Sequence, residues 1–488
     1  MGTSINKRII TLGLSVAVSM YGYSQVEFYG TGLVEDDEAY SEIPQKATQL
    51  TRDYVVVPES YSLREYCPKV GNQGSYGTCT AYSSTYAART IAEAIKWGWK
   101  DQQVITDEAF APQFTYEQIK EEGDTACSRG SRMNRALKLL KEKGAPKMKS
   151  FNVQCADYVP RWVMDEARDN TIDDYFTLFN CYCQSDDEKV SKTKKALSQD
   201  RPVLINMHLP MSFYGADDVW NGIAEEGEKT YYHAMCVVAY DDNKAGGAFQ
   251  IMNSWGTKWG KDGYTWVRYA DFCKYVNWAF EMYVKKARYP EEIMPKRPTD
   301  SVQVIPIRQV PVMHVSGSMR VELSTGETME QHLVRGTLPI YHVEGEFISG
   351  TRSRVYLSNN EPAYVYVIAS DQQNNVSKLF PYAENISAAL VYSSNNIALP
   401  DETHYNEMDY TVGKDYLCVL YAQQELPIDD IISTIKRADG TFPMKLKEAL
   451  GERLAPEADI KYGNKEVSFE ARTPWGKVVP LIMVITHV

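Results

Sequence analysis

The chain is short of histidine, with seven in 488 residues, and it has no excess of positive charge. Lysine and arginine number 52 against 64 aspartates and glutamates, for a net charge of −12. A phosphate-binding surface needs clustered cations, so nucleic acid is excluded as the expected partner. Long apolar runs are lacking as well. The single candidate, "IITLGLSVAVSMYGY", follows Lys7 and Arg8 and is too short to span a bilayer. With small Gly22 and Ser24 before Gln25 it reads as an export signal, residues 1–24, and the expected location is periplasmic or extracellular. No repeat of fixed period is present. The nine cysteines are odd in number, so at least one stays free or pairs between chains. Cys181 and Cys183 are too close for the usual zinc spacing, and neither a metal nor a cofactor is expected.

A length of 488 residues exceeds one typical domain. Residues 25–55 are polar and acidic and read as a loose leader, taken as disordered, with a minimal cover of the surface or cleft as the other reading. Residues 56–288 mix helix and strand signals. "TYEQIKEEG" and "SRMNRALKLLKEKGAP" read as helices, the second stopped at Gly144 and Pro146. "RPVLINMHL" and "AMCVVAYDD" read as buried strands. The proline-rich stretch 289–312 reads as a linker. Residues 313–488 alternate with period two in "RVELSTG", "SRVYLSNN", "AYVYVIASD" and "DYLCVLYAQ", which fits an antiparallel β domain. One helical stretch, "PIDDIISTIKRADGTFPMKLKEAL", lies near its end. The five histidines of this domain lack metal spacing. Its Tyr-rich strands suit a surface or protein partner, or a purely stabilising role.

Within "GNQGSYGTCTAY", Thr78 is placed to cap a helix whose first turn holds Cys79. Apolar Tyr82 and Tyr86, then Ala87, Ile91 and Ile95, recur at helical spacing behind it. A helix start favours an anion, and a thiol there can fall from ~8.5 to roughly 3.5–7.5. A thiol nucleophile needs a base, and residues 56–288 offer just two histidines, His208 and His233. His208 sits in a strand, and His233 opens one. Asn253, at the end of another apolar strand, can accept the second ring N–H of a histidine and fix its tautomer. Trp255, two residues on, can shield that bond from water.

"NQGSYGTCTAY", "HAMCVVAY" and "NSWGTKWGKDGY", in that order, resemble the papain-like cysteine peptidases, family C1. The resemblance covers roughly residues 56–286. It implies an α+β fold with a helical half, a β-barrel half and a cleft between them, followed here by a separate mainly-β domain. It implies Cys79 as nucleophile, His233 as its proton partner and Asn253 as the residue orienting that histidine. Gln73 and the Cys79 N–H would form the oxyanion hole. Trp255 and Gly130 would support the triad and the cleft, Gly130 lying in "CSRGS", which the resemblance sets against the family's Cys-Asn-Gly-Gly stretch. The implied activity is hydrolysis of protein or peptide substrates through a thioester, with an acyltransferase or a catalytically weak binding protein as alternatives.

Three departures stand out. Tyr76 and Thr80 replace a cysteine and a tryptophan, so the disulfide that anchors the nucleophile loop is missing. Cys127 loses its usual partner and is free to pair elsewhere, with Cys155 as a candidate. The leader is too short for a helical pro-domain. Residues 313–488 loosely resemble a bacterial accessory domain of unknown function found behind peptidase domains.

Overall fold

A computed structural model describes residues 29–51, 53, 57–156, 158–180, 185–224, 227–285 and 312–488. The expected signal segment, the 289–311 part of the linker, Cys181 and Cys183 lie outside the described residues.

The helical half is built around one buried helix that starts at Cys79. It runs as an α-turn at Cys79–Ala81, a π-helical stretch at Tyr82–Arg89 and an α-helix at Thr90–Trp97, ending on the left-handed Gly98. The π stretch coincides with the hydroxyl-rich "YSST". There Ser83 and Ser84 donate their hydroxyls to the Thr80 carbonyl, at 3.1 and 2.7 Å, in place of a clean backbone ladder. Helices Pro112–Ile119 and Met133–Glu142 pack alongside it. Both were legible as periodic segments, and Gly144 adopts the left-handed conformation expected of a helix stop.

The β half is an eight-stranded sheet, with Val203–Leu209, Tyr231–Asp241 and Ala248–Met252 side by side near its middle. The expected barrel does not close by hydrogen bonding. The terminal strands Asp174–Asn180 and Val219–Trp220 each pair with one strand, so the ladder is an open path. The free edge of Asp174–Asn180 is covered by the leader instead: the Thr177 N–H donates to the Pro44 carbonyl at 2.9 Å.

Residues 312–488 form two sheets packed face to face over one apolar core, with helices Ile428–Arg437 and Phe442–Leu450 alongside. All four alternating segments are strands: Val312–Leu323, Arg352–Asn359, Ala363–Ser370 and Gly413–Ala422. Two expectations need correction. The pairing is not wholly antiparallel, because Ile340–Phe347 lies parallel to Val478–His487. The late helical stretch is two helices, broken at Ala438–Thr441, where Gly440 takes a positive φ of 103°.

The described residues of the leader, 29–51 and 53, are packed against the rest of the chain, contrary to expectation. Its side chains Leu33, Tyr40, Ile43, Ala47 and Leu50 are all buried. Leu33, Tyr40 and Ile43 join the core shared with the peptidase-like half, and Ala47 joins the core of the second domain. It carries the five-residue helix Asp37–Ser41, capped by Asp36, and Thr51 and Asp53 are helical as well.

The site helix is also held by a buried ion pair, Arg89 to Glu93 at 2.6 Å, and the Trp97 indole N–H donates to Glu93 at 2.7 Å. Burial alone would raise the Glu93 carboxyl. The charges of Arg89, Lys147 and Lys96 and the Trp97 bond outweigh it and hold the group down to about 2. Breaking such a pair strands a buried guanidinium, so Glu93→Gln should cost about 3–5 kcal/mol in urea unfolding at pH 7. Because the folded-state value is depressed, this stabilisation is present above ~4.5 and fades as pH falls towards 2. The gap between wild type and Glu93→Gln should therefore narrow over that window.

Candidate active site

Cys79 occupies the first position of the buried helix and is itself fully buried. Thr78 stands at the cap position, but its side chain makes no capping bond, and its buried hydroxyl has no partner among the described residues. The thiol instead faces backbone. The N–H groups of Ala234 and Gly32 point at its sulfur, one from the residue after His233 and the other from the leader.

His233 lies on strand Tyr231–Asp241, against which the start of the helix packs. It was expected at a rim but is fully buried, because the leader and Trp255 close over it. Its Nε2 lies 2.8 Å from Asn253 Oδ1. That same oxygen accepts the Ser254 N–H at 2.7 Å, a bond only the amide oxygen can make. Nε2 therefore carries the proton, and Nδ1 is left as an acceptor, buried and without a partner among the described residues. Trp255 stacks on the imidazole with ring centroids 4.7 Å apart. His208 is excluded from this arrangement. It pairs across the sheet with Tyr232, one residue out of step with the Met207–His233 pair, so it projects from the opposite face. There it stacks on Tyr232 and bonds Thr230.

Gln73 donates from Nε2 to two carbonyls, Tyr76 at 2.7 Å and Gly30 of the leader at 3.0 Å. Ser254 sets that orientation, its hydroxyl donating to Gln73 Oε1 at 2.5 Å. The sequence contained this signal inside "NSWG", but nothing in the spacing joined Ser254 to Gln73. The loop before Cys79, without the disulfide that the family resemblance implies, is anchored by backbone. Gln73 N–H donates to Ser254 O at 2.8 Å, Gly256 N–H to Gly71 O at 2.9 Å, and Gly77 N–H to Cys127 O at 2.7 Å. Cys127 is in turn disulfide-bonded to Cys155, as the departure from the family pattern suggested. Thr80 fits a buried slot and donates to the Ser131 carbonyl at 3.1 Å.

The leader runs through this site. Tyr29 stacks on Trp255 at 4.9 Å, and the Trp255 indole N–H donates to the Gly30 carbonyl at 2.9 Å. Leu33 then pairs in parallel with Ser131: Ser131 N–H donates to Gly32 O at 2.8 Å and Val34 N–H to Ser131 O at 3.0 Å. Backbone lies directly on backbone here. A Cβ on Gly32 would sit 2.2 Å from the Gly77 oxygen, and one on Gly130 would sit 2.0 Å from the Gly32 oxygen. Gly130 also has a φ of 80°. The glycines of the leader escaped sequence reasoning because their partners are distant in the chain.

Cys79 and His233 are both fully buried in this closed site, and their ionisation responds to that burial. Burial pushes the Cys79 thiol up to about 11, against the opposing pull of the Ala234 and Gly32 N–H groups. Burial pushes His233 down to about 4, against the Asn253 hydrogen bond. Thiol and imidazole are both neutral at pH 7 while the leader is in place.

Residues 57–281 match the family model described as papain family cysteine protease, and residues 346–425 match a domain of unknown function, DUF4384. Over 227 residues the chain is 28% identical to cathepsin L of Sarcophaga peregrina, covering 45% of this chain and 61% of that protein. A cysteine protease of Blomia tropicalis is 25% identical over 267 residues, covering 52% of this chain and 75% of its own length. Among solved structures, xylellain, a cysteine protease from Xylella fastidiosa, superposes with a TM-score of 0.41 at 19% identity, covering 53% of this chain and 96% of that one. With its motifs matched in order and its α+β halves in place, the segment 57–281 belongs to the papain family of cysteine proteases, and a DUF4384 domain follows it.

Proposed function

We propose that the chain is an exported cysteine peptidase, made with its own leader lying in the cleft. One observation carries the reading. Gln73 Nε2 hydrogen-bonds the Gly30 carbonyl, as it would a scissile carbonyl, beside a thiol at a helix start and a histidine whose tautomer Asn253 fixes. Once the leader leaves, water re-enters and the thiol and imidazole can exchange a proton. The thiolate attacks a peptide carbonyl. Gln73 Nε2 and the Cys79 N–H stabilise the oxyanion. His233 protonates the leaving amine, and water then hydrolyses the thioester. The leader itself resists attack for a local reason: it turns the Gly32 N–H, not a carbonyl carbon, towards the sulfur. The Cys127–Cys155 disulfide suits an oxidising compartment and supports export.

With the leader removed, Cys79→Ala should abolish hydrolysis of a peptide library. His233→Ala should lower kcat/KM by about 10²–10⁴-fold, and Gln73→Ala by about 10²–10³-fold. Full activity in Cys79→Ala would overturn the assignment.

The cover makes its own prediction, read by iodoacetamide alkylation of Cys79. In the intact chain, roughly one thiol in ten thousand is ionised at pH 7 for a value of about 11. Labelling should therefore be slow and should climb steadily up to pH 10. Gly32→Val removes the room the leader needs and should raise the rate at pH 7 by at least about 10²-fold. An unchanged rate would mean that the leader does not control the thiol.

A further inference from the structure

We infer that the C-terminal domain is a receptor for the chain's own leader, binding residues 45–51 and 53 along a sheet edge and so holding residues 29–34 in the cleft. This rests on the reading of residues 29–34 as a cleft cover.

The second domain meets the leader with an edge and a set of matched polar groups. In its smaller sheet, strand Asn395–Leu399 pairs on one side with Arg352–Asn359 and is otherwise an edge. Gln49 forms an antiparallel bridge to Ile397 on that edge, and the Leu50 N–H donates to the Asn396 carbonyl at 2.9 Å. An extended segment laid on a sheet edge takes affinity from such backbone bonds and specificity from its alternate side chains. Both kinds of contact are present. Gln49 bonds the buried Asn395 amide. Leu50 and Ala47 are buried. Asp53 accepts from the Asn396 N–H at 3.0 Å and from its side-chain amide at 3.2 Å. Thr51 donates through both N–H and hydroxyl to Glu402, at 2.9 and 2.6 Å.

Gln45 shows how this anchor reaches the cleft. It bridges in parallel to Thr177, on the free edge of the peptidase sheet, and in parallel to Ile386 of the second domain. Its N–H donates to Asn385 O at 2.6 Å, and its carbonyl accepts from the Ser387 N–H at 2.8 Å. One residue on, Lys46 reaches the buried Glu281 carboxylate at 2.8 Å and lies over the Tyr392 ring, whose hydroxyl also donates to Glu281 at 2.8 Å. The leader is therefore a seam shared by both domains. Tethered at 45–51 and 53, the cleft segment rebinds as an intramolecular ligand at high effective concentration. The ligand class is an extended, mixed polar and apolar peptide with an acidic residue three positions after its buried leucine.

The test uses the full chain and two readouts that need no peptide hydrolysis. These are iodoacetamide labelling of Cys79 at pH 8, and hydrogen exchange at the Gly30 and Val34 amides, which donate to Gly74 and Ser131. Leu50→Asp removes the buried leucine. Asp53→Ala combined with Glu402→Ala removes two polar anchors and keeps the test open if Leu50→Asp fails to fold. Each variant should raise the labelling rate about tenfold or more and speed exchange at both amides, with thermal unfolding of the second domain unchanged for the double variant. Labelling and exchange equal to wild type in a folded variant would overturn the inference, because the cleft segment would then hold itself. Peptide hydrolysis by the leader-removed chain is a separate measurement. Its failure would count against the peptidase reading and leave the anchoring result standing.

Discussion

The Gly30 carbonyl is where the structure converges. Two side-chain donors from different parts of the chain meet on it, Gln73 and Trp255. Gln73 is fixed by Ser254, and Trp255 is stacked against the imidazole of His233. One main-chain oxygen of the leader thus touches the candidate oxyanion donor and the lid of the histidine together. A side chain could not make this approach. The leader must bring bare backbone against backbone, and so Gly30 and Gly32 face the loop 74–77 while Gly130 faces them from the other wall.

The same closure decides the charge state of the site. A fully buried thiol and a fully buried imidazole are each held neutral, because desolvation penalises either ion separately. An ion pair could offset that cost only with hydrogen bonds to spare. The closed pocket supplies the sulfur with the N–H groups of Ala234, Gly32 and Thr80 and the Thr80 hydroxyl, and the imidazole with one amide oxygen. On the proposed reading the cover restrains the site twice, by occupying the cleft and by keeping Cys79 protonated. Opening it restores water and with it the ordinary electrostatics of a helix start.

The sequence carried much of this site because its signals are local. Cys79, His233, Asn253 and Trp255 each sit in a short string with its own turn or strand signature, and the structure gathers them as those strings imply. What was not legible depends on distant partners or on competition within the backbone. Thr78 has the right identity and position for a cap, yet its hydroxyl has no partner among the described residues, because its backbone (φ −106°, ψ 13°) departs from the extended conformation that aims a cap side chain at the helix N–H groups. The parallel pairing of Ile340–Phe347 with Val478–His487 joins segments more than a hundred residues apart, which no local period encodes. The leader is the sharpest case. Leu33, Tyr40, Ile43, Ala47 and Leu50 stand 7, 3, 4 and 3 residues apart, a helix-like spacing, yet between 33 and 50 only Asp37–Ser41 is helical, because the buried side chains fit different neighbours. A polar segment that folds only against others reads as disorder when taken alone.

The buried lysine of the seam adds the last link. Lys46 is held down to about 8 by burial, against the attraction of Glu281. Glu281 is fully buried and belongs to the peptidase sheet, while Tyr392, which also bonds it, belongs to the second domain. A buried carboxylate with two such partners tolerates the loss of neither easily, since the survivor is left desolvated. Pulling the leader away would strip Glu281 of its cation and leave the Tyr392 hydroxyl as its remaining side-chain donor at the domain boundary. Release of the cover thus has a cost at the interface between the domains as well as in the cleft, and the two domains together, rather than the cleft alone, set how firmly the site stays shut.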